Sequence, residues 1–168
     1  MEEALFKFLQ SHILGSDGIQ HFDWYNGQPD DPKAHDTFKK PAVFVRILPY
    51  QVKTLSTGRQ TAQVDFELIV CQDIVKPFNK IAGEQAQNKQ FKSLGLAPKI
   101  TKRILLKSDK NNGIGTILRK TGIPDHAFEA IINQTEVYSC RIVDDSARIA
   151  KVSFPNDADK TLTIQVDA

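Results

Sequence analysis

No run of about 18 apolar residues occurs in the 168-residue chain, so no segment is long enough to cross a membrane as a helix. The opening MEEALFKFLQSHIL starts acidic and lacks a basic stretch before an apolar core, which argues against a secretory leader. Cysteine is scarce. Cys71 and Cys140 lie far apart inside strand-like segments, and the reading is two buried thiols in a reducing compartment rather than a disulfide or a metal knuckle. Catalytic signatures are missing too. No serine sits in a Gly-x-Ser-x-Gly elbow, and Gly113-Ile114-Gly115 lacks the third glycine of a phosphate loop. His12, His21, His35 and His126 are scattered singly. Asp30, Asp31, His35 and Asp36 cluster, but their spacing matches no ligand pattern, and Asp144-Asp145 reads as a turn former. No catalytic, cofactor or metal residue is therefore assigned, and the expectation is a protein that is not an enzyme.

What is present is a strong β signal. In Gln60–Val70, Ala62, Val64, Phe66, Leu68 and Val70 alternate with Gln63, Asp65 and Glu67. Upstream, Val43, Val45 and Ile47 face one way, while Ala42, Phe44, Arg46 and Leu48 face the other. Two long strands joined near Ser56-Thr57-Gly58 make a central β-hairpin, with Gly58 free to take the positive φ of a tight reversal. At this length, with 40% hydrophobic and 25% charged residues, residues 1–168 suit one folded domain.

Around the hairpin, Leu5, Phe6, Leu9 and Ile13 recur at helical spacing, with Phe8 on the flank, and predict an amphipathic helix over Glu2–Leu14 stopped by Gly15. Ile19–Tyr25 reads as a short strand ending at Asn26-Gly27. Gln28–Lys40, with two prolines, reads as a surface loop that buries little. Asp73–Leu96 is polar loop or poorly buried helix. A helix from Lys99 and another from Ile114 to Gly122 are expected, separated by Asn111-Asn112-Gly113. Val137–Val143, Ile149–Phe154 and Thr161–Val166 read as strands. The class is α+β: one domain, a mostly antiparallel sheet with a long hairpin, packed against the N-terminal helix and one or two more.

Charge is unevenly spread. Lys76–Lys120 holds eleven Lys and Arg against Glu84 and Asp109, a net of +9, and the remaining residues sum to −7. Such polarity suits contact with an oppositely charged surface, either nucleic acid or a neighbouring copy. The nucleic-acid alternative would use Lys99, Lys102 and Arg103, although only Phe78 and Phe91 interleave with the basic residues and no recognition module appears.

Phe22-Asp23-Trp24-Tyr25-Asn26-Gly27-Gln28, the loop closing on Phe38-Lys39-Lys40, and Pro41-Ala42-Val43-Phe44-Val45 followed by a long hairpin partner together resemble the tail-completion or tail-terminator (head–tail joining) proteins of tailed bacteriophages. The likeness runs from about Leu5 to Gln72. It implies a structural protein, found in the virion and in the cytoplasm of the bacterial host, that assembles with itself into a ring, a hexamer. Such a ring caps the tail tube protein and presents a surface to the head–tail connector protein, with no cofactor and no membrane contact. In this setting the hairpin tip, Thr54, Ser56, Thr57, Arg59 and Gln60, is the candidate for projecting beyond the sheet toward a neighbour.

Overall fold

The computed structural model describes residues 1–31, 33–34, 36–55, 58–73, 95–128 and 131–146, and at 124–128 and 131–132 the backbone alone. The elements are α1 (Glu2–Ile13), β1 (His21–Trp24), a 3₁₀ turn (Gln28–Asp30), β2 (Ala42–Ile47), β3 (Val52–Thr54), β4 (Gln60–Asp73), α2 (Leu96–Ile104), β5 (Leu118–Phe128) and β6 (Ile131–Asp144). The strands form one sheet in the order β1-β2-β4-β6-β5, with β3 also paired to β4. Among the described residues only β1 and β2 run parallel; the other pairings are antiparallel. This is the α+β class that the patterning predicts.

The alternation translates directly into two faces. Val43 pairs with Val70, Val45 with Leu68 and Ile47 with Phe66, so the odd residues of β2 share a face with the even residues of β4. That face carries the main core. Leu5, Leu9 and Ile13 of α1 and Ile100 and Ile104 of α2 lie against Val64, Phe66, Leu68, Tyr138 and Cys140. Each such side chain contributes about 1.5–3 kcal/mol by leaving water. The opposite face holds a smaller cluster of Phe38, Ala42, Phe44, Ile69 and Cys71 with Tyr25 against it.

Several expectations are corrected. The hairpin is interrupted: β2 pairs with the far half of β4, the chain leaves the ladder after Ile47, and β3 returns to pair Val52–Thr54 with Gln60–Ala62. In α1, Phe8 belongs to the buried stripe, whereas Phe6 is half-exposed and stacks on Trp24 at 4.5 Å. The 28–40 loop does bury side chains, since Pro29 and Phe38 are covered. The second helix starts at Leu96 and contains Pro98, which is tolerated because first-turn N–H groups have no intrahelical acceptor.

No helix forms from Ile114 to Gly122. Ile114 bridges Ile142 of β6, and β5 begins at Leu118. Ile114 and Ile117 are both buried, which mimics one turn of a helix in sequence. Strand β6 also starts six residues before Val137, because its polar residues Asn133 and Glu136 are buried there. The expectations for 74–94 and 149–166 fall outside the described residues.

Candidate functional site

Backbone hydrogen bonds join the described flanks of the hairpin tip. Leu55 N–H donates to Arg59 O at 2.8 Å, Gly58 N–H to Leu55 O at 3.0 Å, and Gly58 takes φ +76°. Thr54 is exposed and pairs with Gln60. Ser56 and Thr57 lie outside the described residues. Strand β6 runs beside β4 as far as the Gln60–Asp144 pair, so Gln60 lies within the sheet rather than beyond it. Arg59 is clamped by Asp145, Nε and Nη2 donating at 2.6 and 2.9 Å. Beside it lies an open cleft of about 550 Å³ that includes Met1, Lys110, Asn112, Gly113 and Arg141.

Lys99, Lys102 and Arg103 come together elsewhere. Spacings of three and four residues place them on one side of α2, away from Ile100 and Ile104, which face the core. With His12, Asp17 and Lys107 they line a second open groove, also about 550 Å³. Arg103 Nε donates to Asp17 Oδ2 at 2.7 Å. Lys99, Lys102 and Lys107 are exposed and have no ion-pair partner among the described residues. Lys102 and Arg103 sit in the last turn of α2, where the helix dipole favours cations. Arg59 of the tip and the α2 lysines therefore belong to different clefts.

Two features escaped the patterning. Glu136, in the interior, accepts from Arg119 Nε at 2.6 Å and Nη2 at 3.1 Å, and from Gln134 Nε2 at 3.0 Å. Gly122 makes room for this cluster: a Cβ there would sit 2.6 Å from Arg119 Nη2 and 2.8 Å from Glu136 Oε1. Gly113, at φ +69°, lets the 109–115 turn touch β6, where a Cβ would stand 1.9 Å from Val143 O. The Asn-Asn-Gly triplet signals the turn in sequence, but nothing local signals its partner.

The resolved shifts reinforce the ordinary charge states. Lys120 beside Asp65 and Arg103 beside Asp17 hold those carboxyls below the usual range, and Asn112 and Ser146 do so for Asp109 and Asp144. Burial pushes the Cys71 and Cys140 thiols and the Tyr138 phenol up to about 12. None of these shifts prepares a general acid or base for neutral pH. Among the described residues, no three His, Cys, Asp or Glu side chains gather as a metal site, and no helix is long and apolar enough to cross a membrane.

No family model matches the chain, and no curated protein matches it. Among solved structures it is similar to a chain in the virion of a native gene transfer agent particle, with a TM-score of 0.45 and 13% identity, over 81% of this chain and 84% of that one. A likeness at that level transfers neither fold nor function.

Proposed function

We propose that this protein is a structural assembly component of a phage or prophage tail. Six copies close into a ring that caps the tail tube and meets the head–tail connector, and no residue is devoted to catalysis. The reading is supported chiefly by where the resembling segments fall. Phe22–Trp24 and Ala42–Val45 lie side by side as β1 and β2, in register from His21–Ala42 to Trp24–Val45. Phe6 of α1 packs on Phe22 and Trp24. Of the segments quoted for the likeness, Phe22–Trp24 and Ala42–Val45 thus form one continuous piece of the sheet, while Tyr25–Gln28 and Phe38–Lys40 lie in the connection between the two strands.

A contact between copies needs apolar surface outside the core, and β5 supplies it: Leu118 and Ile123 are each 52% exposed. Exposed strand residues of this kind suit head-to-tail packing, the geometry that closes rings. Negative-stain imaging of the purified protein, alone and with tube protein, tests the proposal. Annular particles are expected, and the double variant Leu118→Glu/Ile123→Glu should remain folded but yield none. Dispersed single copies from the wild-type chain under both conditions would count against it.

A further inference from the structure

We infer that the groove between the C-terminal ends of α1 and α2 binds the phosphodiester backbone of nucleic acid without reading its sequence. The groove gathers Lys99, Lys102, Arg103 and Lys107 from one side and His12 and Asp17 from the other. One acid faces four full cations, and that acid is already taken by Arg103. Three lysines are left to meet an anion, each on a solvated stem that reaches outward at little desolvation cost. They are not spread over the surface: three of the four cations come from five consecutive residues of α2, and Lys107 follows three residues past the end of that helix.

The chemistry of the lining selects the partner. Protein interfaces centre on aromatic or aliphatic anchors and are depleted in lysine. Among the described residues none of those lining this groove is apolar, and the exposed Leu106 beside Lys107 is not part of it. A phosphate backbone needs no such anchor, because its affinity comes from counterions released as lysines replace them. Base recognition would need donors and acceptors fitted to base edges, or flat rings for stacking, and the lining offers neither beyond His12. Sequence-independent contact with duplex or single strands follows. This inference does not depend on ring assembly.

Fluorescence anisotropy of a labelled DNA duplex with the full chain tests it. About three phosphates engaged give a slope of about −2.7 in log K against log salt, so affinity should fall about 40-fold between 50 and 200 mM salt. Two duplexes of unrelated sequence should bind alike. Lys99→Ala/Lys102→Ala/Lys107→Ala should abolish that salt-sensitive binding, whereas Lys33→Ala/Lys39→Ala, on the 28–40 loop, should leave it unchanged. Asp17→Asn should tighten binding and steepen the slope by about one, since it frees Arg103. Circular dichroism of each variant checks that the fold is intact. Absence of duplex binding at about 50 mM salt, or a triple variant that binds like wild type, overturns the inference. So does binding of polyglutamate without binding of DNA, which would assign the groove to an acidic protein partner.

Discussion

Glu136 shows how much one buried charge contributes. Its side chain is 2% exposed, and it relies on Arg119 and Gln134 for every hydrogen bond described here. Removing Arg119 leaves a carboxylate in the interior with one neutral donor, so Arg119→Ala should lower stability by about 2 kcal/mol or more in urea unfolding. Arg119 is itself half-exposed, which keeps the loss below that of a fully buried pair. At alkaline pH three groups act together. Cys71, Cys140 and Tyr138 stay protonated in the fold to about pH 12, while in the unfolded chain they ionise at ordinary thiol and phenol values. The unfolded state therefore binds fewer protons above about pH 9, and stability falls as pH rises toward 12, by up to about 1.4 kcal/mol per unit for each group. Unfolding midpoints measured from pH 8 to 11 should decline, and the thiols should react with a disulfide reagent only in denaturant.

Among the elements, the 109–115 turn is held to the sheet by backbone hydrogen bonds on either side of the buried Ile114 side chain. Gly115 N–H donates to Arg141 O at 2.7 Å and Val143 N–H to Gly113 O at 2.8 Å. Gly113→Ala meets both a left-handed φ and the Val143 carbonyl, so it should cost at least about 2 kcal/mol and expose the Val143 amide to hydrogen exchange. Elements whose cause is local were legible in the sequence. α1, β2 and β4 follow from periodicity, and the face assignment of Val43, Val45, Ala62 and Phe66 is the observed one. Where long-range pairing decides, the sequence misled: Ile114 and Ile117 sit one helical turn apart, yet their burial comes from β6 and the helices above it. The polar start of β6 was hidden because Asn133 and Glu136 are buried by partners distant in sequence, Pro29 and Arg119. The basic cluster of α2 was visible as composition, but its convergence with His12 and Asp17 required the packing of two helices.

At the level of the whole molecule, α1 and α2 cover one face of the sheet and, among the described residues, the other is covered more thinly, with Gln63, Lys120 and Arg141 exposed. Charged pairs tie that second face together: Arg46 Nε with Glu67 at 2.6 Å and Lys120 Nζ with Asp65 at 2.6 Å. With β5 carrying exposed Leu118 and Ile123 along one side, the molecule has an apolar surface suited to repetition. The ring reading needs that surface to be satisfied by another copy. Native mass spectrometry of the full chain across a concentration series tests this most directly. A discrete closed species about six times the 18.8 kDa chain mass, absent in Leu118→Glu/Ile123→Glu, is the predicted result. A single-copy mass at every concentration, unchanged when tube protein is added, would contradict it.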